Sequence, residues 1–201
     1  MNLLTRETIV LASASTSRAA MLRDAGVGFD AAPASLDERA LEVEMAGAEP
    51  AEIAQALAAA KAAAVSVSHP GRWVLGSDSI VEVAGTRFDK PAGRDDAARH
   101  LAAFSGQTMS LHSAAALARD GRIDWVGSDF ARLKVRDLSA DFIAAYLDSE
   151  WPAIGGCAGA FRIEGAGVHL FERVAGDYFT ILGMPLLAVL GALRERGAIT
   201  A

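Results

Sequence analysis

The run Thr8-Ile9-Val10-Leu11-Ala12 passes without a break into Ser13-Ala14-Ser15-Thr16-Ser17-Arg18, and Gly26 follows eight residues after Arg18. A short apolar stretch rich in β-branched residues reads as a buried strand. The segment from about Ser17 to Ala25 carries Ala19, Met21, Leu22 and Ala25 on one side, which is a helical pattern. Gly26 stands where helices stop. A buried strand that feeds a helix through a tight turn constrains the rest of the chain, because the strand needs neighbours and the helix needs a sheet face to cover.

Later segments supply both. Phe29 to Ala32 reads as a second strand, and Pro50 opens an alanine-rich helix to about Ser66 with an Ile53, Leu57, Ala60, Ala64 stripe. Trp73 to Leu75 reads as a strand ending in Gly76-Ser77-Asp78-Ser79. Ile80 to Val83 and Arg87-Phe88 suggest a hairpin around Ala84-Gly85. Arg94 to Phe104 is helical. Met109 to Ala118 and Arg122 to Val135 form long strands around Asp120-Gly121, a strong hairpin signal. Ser139 caps a helix to about Leu147. Phe161 to Ile163 and Val168 to Val174 read as strands, and Tyr178 to Leu193 as a buried strand end followed by a core helix that starts at Pro185. Alternating strands and helices with inserted hairpins give an α/β fold with a mixed sheet.

Composition removes several classes. The 201 residues carry 19 Lys+Arg against 25 Asp+Glu, a net charge of -6, so the clustered basic surface of a nucleic-acid binder is not expected. One cysteine, Cys157, excludes an internal disulfide framework and a cysteine zinc site. His69, His100, His112 and His169 have no ligand-like spacing. The uncharged stretch Tyr178 to Leu193 falls short of the ~20 residues that span a bilayer, and no secretory pattern precedes Arg6 and Glu7. The expectation is a cytoplasmic protein with no membrane contact. Neither a GxxxxGK[ST] loop nor a GxGxxG after a strand is present.

Four groups of residues could carry chemistry. Ser13, Ser15 and Arg18 at a helix N-terminus could cradle a phosphate, or the serines could simply cap the helix. Asp78, on a strand end, could hold a divalent metal or activate a water, or it could bond its own turn. Lys61 is the only charge between Ala54 and Val67, and Lys90 precedes Pro91; both read equally as exposed lysines. Glu38 lies in the charge-mixed Leu36-Asp37-Glu38-Arg39 loop, where a solvated carboxylate is usual.

Taken in order, these segments resemble the Maf family of nucleoside triphosphate pyrophosphatases. Leu11-Ala12-Ser13-Ala14-Ser15 with Arg18 resembles the family's Leu-Ala-Ser-x-Ser-Pro-Arg-Arg turn, and Gly76-Ser77-Asp78 its Gly-(Ala/Ser)-Asp motif. Lys90-Pro91, Ser105-Gly106-Gln107-Thr108, Ala158-Gly159-Ala160-Phe161 with Glu164-Gly165, Gly176-Asp177-Tyr178 and Gly183-Met184-Pro185-Leu186 match further motifs. The match runs from about residue 9 to residue 197. It implies one domain over residues 1–201 with two lobes around a cleft, a mixed twisted sheet with flanking helices like inosine triphosphate pyrophosphatases, and a homodimer.

The implied reaction cleaves a nucleoside triphosphate between its α and β phosphates with Mg²⁺ or Mn²⁺. The matching positions imply Asp78 as general base and metal carboxylate, Glu38 as a second metal carboxylate, Ser13, Ser15 and Arg18 as phosphate ligands, and Lys61 and Lys90 as triphosphate cations. The family's first arginine is Ser17 here. Ser79 and Glu164 occupy two further positions that vary with base choice. Glu164 can accept from the N1–H and N2–H₂ edge of guanine and favours a methylated, positively charged ring, so the chain looks closest to the 7-methyl-GTP subgroup. A dTTP/UTP pyrophosphatase, or a nucleotide-binding regulator of cell division without turnover, are the alternatives.

Overall fold

The computed structural model describes residues 4–200. In chain order the elements are β1 (Ile9–Leu11), α1 (Thr16–Asp24), β2 (Phe29–Ala31), α2 (Glu38–Glu44), α3 (Pro50–Ser66), β3 (Val74–Val83), β4 (Thr86–Phe88), α4 (Arg94–Phe104), β5 (Thr108–Arg119), β6 (Arg122–Val135), α5 (Ala140–Glu150), β7 (Phe171–Ala175), α6 (Tyr178–Ile181) and α7 (Leu186–Glu195), with 3₁₀ turns at Ala153–Gly156 and Ala166–Leu170. The strands form a mixed seven-stranded sheet in the order β2-β1-β3-β5-β6-β7, with β4 paired to β3. Strands β2 and β3 run parallel to β1, whereas β4 is antiparallel to β3 and β7 to β6. The α/β class with a mixed sheet and flanking helices is therefore as the sequence implies.

The chain divides into two compact units. The first holds the residues up to Ser79, His112–Asp129 and Tyr178 onward; the second holds Ile80–Leu111 and Phe130–Asp177.

In the first unit, side-chain alternation along β1 decides which helix covers which face. Ile9 and Leu11 pack with Met21 and Leu22 of α1, Val189 and Leu193 of α7, and Trp73 and Leu75. Val10 and Ala12 face the other way, onto Val74 and Val65 of α3. Each fully buried Leu or Ile contributes roughly 2 kcal/mol. In the second unit α4 packs on α5, burying Leu101 and Phe104 of the former and Ile143 and Leu147 of the latter.

Four sequence expectations are corrected. Glu38 is not in a loop but opens α2, where the Asp37 carboxylate caps the helix by accepting from the Ala40 N–H at 3.0 Å. Gly76-Ser77-Asp78 does not end a strand: β3 continues to Val83, and Asp78 sits in its middle. The parallel partner β1 stops at Leu11, opposite Leu75, so Asp78 still lies past the carboxyl end of its neighbour. Phe161 to Ile163 is no strand, because the chain turns on itself there, Gly165 N–H donating to the Arg162 carbonyl at 3.1 Å; β7 begins only at Phe171. Tyr178 to Ile181 is a helical turn rather than a strand end, since Leu182 N–H donates to the Tyr178 carbonyl.

Candidate active site

Gly76 allows α3 to lie against β3. A Cβ built on it would meet the Ala58 carbonyl oxygen at 2.2 Å and the Ala62 nitrogen at 2.6 Å, so only glycine admits this approach of helix backbone to strand. Lys61 precedes Ala62 on that helix, and Asp78 follows Gly76 by two residues on the same strand face. The two side chains are thereby forced together, with Lys61 Nζ 2.6 Å from Asp78 Oδ1. The N-terminus of α2 adds Glu38, whose Oε2 is 2.8 Å from the same nitrogen. The Lys61 side chain is 10% exposed, Asp78 13% and Glu38 45%. Lys61 is thus a buried cation rather than a solvent-facing helix lysine, and two carboxylates converge on it.

The opposite face of β3 carries Ser77 and Ser79, and here α1 supplies the charge. Ser15 caps α1, accepting from the Arg18 N–H at 3.4 Å. The Ser13 hydroxyl accepts from the Ser15 N–H at 3.2 Å and from Arg18 Nη1 at 3.2 Å. Arg18 also donates from Nε to the Gly183 carbonyl at 2.9 Å and from Nη2 to Ser79 Oγ at 3.2 Å. Gly183 has φ +105, a left-handed conformation that suits glycine and turns its carbonyl to Arg18. Burial lowers the Arg18 pKa from the usual guanidinium range, while the fields of Asp78 and Glu38 pull it back up.

The first unit therefore brings together Ser13, Ser15, Arg18, Glu38, Lys61, Asp78 and Ser79. Ser17 stands beside them on the first turn of α1, half-buried. Lys90 and Glu164 belong to the second unit, and both are exposed. There they share a neighbour: the Cys157 thiol is raised above the ordinary range mainly by burial and next by Glu164, and is lowered by Arg162 and Lys90. Arg162 holds Glu150 through Nε at 3.0 Å and Nη2 at 2.9 Å.

Sequence reasoning missed Ser113, Thr180, Glu150 and Arg162. Ser113 had one available signal, a hydroxyl at the head of the apolar run Ala114 to Ala118, at a position that buries. Glu150 and Arg162 had none, since neither stands out from an ordinary surface charge until the fold pairs them.

Asp78 and Glu38 offer hard oxygen donors at one point, the set that Mg²⁺ or Mn²⁺ takes together with phosphate oxygens. Among the described residues no group of three or more His, Cys, Asp or Glu side chains could hold a metal by protein ligands alone. No helix among the described residues is long and apolar enough to cross a membrane.

The sequence family described as Maf-like protein matches residues 8–196. The chain is 46% identical to a nucleoside triphosphate pyrophosphatase of Nitrobacter hamburgensis, over 96% of this chain and 95% of that one. It is also 46% identical to a 7-methyl-GTP pyrophosphatase of Rhizobium etli, over 95% and 97%. A HAM1 protein from Coxiella burnetii aligns over 64% of this chain and 73% of its own, at 20% identity and a TM-score of 0.39, too loose a match to bear on the fold.

Proposed function

The chain belongs to the Maf-like family, and from that premise we propose that it hydrolyses a nucleoside triphosphate between the α and β phosphates, giving the monophosphate and pyrophosphate. The observation that carries this reading is the buried Lys61 held between Asp78 and Glu38, with Arg18 aimed by the neighbouring turn.

Attack at the α phosphorus needs a deprotonated water and charge stabilisation more than covalent help. One oxygen of Asp78 is held by Lys61, which fixes the plane of the carboxylate; the other oxygen can take a proton from water. The water oxygen then bonds to phosphorus, the α–β bridging bond breaks, and its electron pair leaves with pyrophosphate. Arg18 has five N–H donors and spends three on the protein, so one hydrogen on each Nη remains for a phosphate oxygen. Lys61 offsets charge at the attacked phosphate. Lys90, by its Lys-Pro match, neutralises the leaving pyrophosphate. Asp78 and Glu38 would hold the divalent cation, which supplies Lewis-acid polarisation of phosphoryl oxygens when bound.

For the base, the reading is a 7-methyl-GTP-like substrate, supported by the carboxylate at Glu164, by the Cys157-Ala158-Gly159-Ala160-Phe161 segment before it, and by the name of the Rhizobium etli relative; Ser17 and Ser79 match neither subgroup. A homodimer working in the cytoplasm belongs to the same reading.

The test is a panel of 7-methyl-GTP, GTP, dTTP and UTP with magnesium or manganese, with pyrophosphate and orthophosphate measured separately. Pyrophosphate release, fastest from 7-methyl-GTP, and a drop of about 10³-fold in kcat for Asp78→Asn are expected. Orthophosphate as the first product, or binding without turnover, removes the activity. A dTTP and UTP preference with 7-methyl-GTP inert removes the base assignment.

A further inference from the structure

Among the described residues, the hydrogen-bond partners of the Arg18 side chain are neutral: the Gly183 carbonyl and the hydroxyls of Ser13 and Ser79. Burying a guanidinium among neutral acceptors orients it without cancelling its charge, which is what an anion site needs and what an ion pair would spoil. The orientation depends on where the Ser79 hydrogen points. Ser79 can accept from Arg18 only while its own hydrogen is directed elsewhere.

Buried Ser113 on β5 is one of two groups that hold it there. Its hydroxyl donates to the Thr180 carbonyl at 2.8 Å, so in its 2.9 Å contact with Ser79 it is the acceptor and Ser79 the donor. The Gly183 carbonyl, at 2.9 Å from Ser79 Oγ, is the second acceptor for that hydrogen; it also accepts from Arg18 Nε, while the Ser77 hydroxyl donates to the Ala114 carbonyl at 2.8 Å. Both acceptors draw the Ser79 hydrogen away from Arg18, and the contacts run from Arg18 through Ser79 and Ser113 to the α6 backbone.

We propose that Ser113 is a positioning residue for triphosphate binding, acting through Ser79 to hold the Arg18 guanidinium toward the phosphates. The proposal rests on the reading of Arg18 as a phosphate ligand given above. Ser113 touches no substrate, and its loss acts on binding rather than on proton transfer at Asp78.

The experiment measures the Kd of the α,β-methylene analogue of GTP, with magnesium, by calorimetry, and KM and kcat for the best cleaved triphosphate. Ser113→Ala is expected to raise Kd and KM about fivefold, the scale of one neutral hydrogen bond, with kcat within twofold of the parent. Ser79→Ala raises them at least as much, and the Ser79→Ala/Ser113→Ala double variant is no weaker than Ser79→Ala alone. Ser113→Cys, which keeps a weak donor of similar size, falls between parent and Ser113→Ala and serves if the alanine variant does not fold. A parental Kd in Ser113→Ala or Ser113→Cys overturns the proposal. So does a loss in the double variant equal to the two single losses combined, because a merely structural serine adds its cost in either background. A parent that binds the analogue but releases no pyrophosphate overturns the proposed activity while the Kd comparison still decides the role of Ser113.

Discussion

Two buried charges, one in each unit, are held in opposite ways. Lys61 is a cation served by two carboxylates, Asp78 and Glu38, so its cluster carries a net negative charge. Glu150, with its side chain 7% exposed, is an anion served by one arginine, Arg162, and that cluster is balanced. A balanced pair is closed; it gains nothing from another ion. An excess carboxylate attracts a further cation, and Glu38, 45% exposed, leaves a side open to one. The first arrangement suits a site that takes up charge during its work, and the second a fastening that fixes the chain after α5.

The glycines beside the clusters offer the largest way to test that contrast. Gly76 faces backbone: its substituent would press on the Ala58 carbonyl, which cannot move without shifting α3. Gly165 faces the ends of flexible side chains, Arg162 Nη2 at 3.2 Å and Glu150 Oε2 at 3.4 Å. Gly76→Ala is expected to cost about 3 kcal/mol in urea unfolding and roughly 10² in kcat, because Lys61 moves off Asp78. Gly165→Ala is expected to cost under about 1 kcal/mol, within the range of tolerated changes. Equal effects at the two positions would mean that helix-to-strand contact does not set the Lys61 geometry.

Part of this was open to sequence reading, and physics explains which part. Helices α1, α3, α4, α5 and α7 each bury a face, so apolar spacing exposed them. Helix α2 has no buried residue, so it leaves no such spacing, and its start is marked only by the Asp37 cap. Strand β3 looked broken because glycine, serine and aspartate are poor strand formers. They are there because α3 needs the space at Gly76, Lys61 needs Asp78, and Arg18 needs Ser79. The Phe161-Arg162-Ile163 alternation looked like a strand, yet Arg162 reaches across to Glu150 and the backbone folds back. Asp78, Lys61, Glu38 and Arg18 were found through motif order, not through visible contact. The Gly183 carbonyl lies 165 residues from Arg18 and Ser113 lies 34 from Ser79, so no local pattern could join them.

Removing one partner or both separates a fastening from a working site. Arg162→Leu strands the Glu150 carboxylate and is expected to lower stability by about 2 kcal/mol, less than a fully buried pair would lose because the Arg162 side chain is 37% exposed. Replacing both, Glu150→Leu with Arg162→Leu, is expected to recover most of that loss in the same unfolding measurement, with kcat retained. A double variant no more stable than Arg162→Leu would show that the pair does more than fill and fasten.

The smallest effect reads the field around the second cluster through its thiol. Cys157 is held above the ordinary thiol range, so at pH 7.5 its thiolate fraction is below that of a free cysteine and iodoacetamide should react slowly. Glu164 raises this pKa and Lys90 lowers it, and both side chains are exposed, so either can be neutralised without disturbing packing. Glu164→Gln should speed alkylation of the native protein, since the thiolate no longer faces a like charge. Lys90→Gln should slow it, since the thiolate loses an attractive one. Opposite shifts would place these two family-matching residues around one point of the second unit, near enough to act on the same ligand. Shifts of the same sign would mean that the thiol senses a general loosening, and the contrast between a charged working cluster and a quiet fastening would then have to be drawn without Lys90 and Glu164.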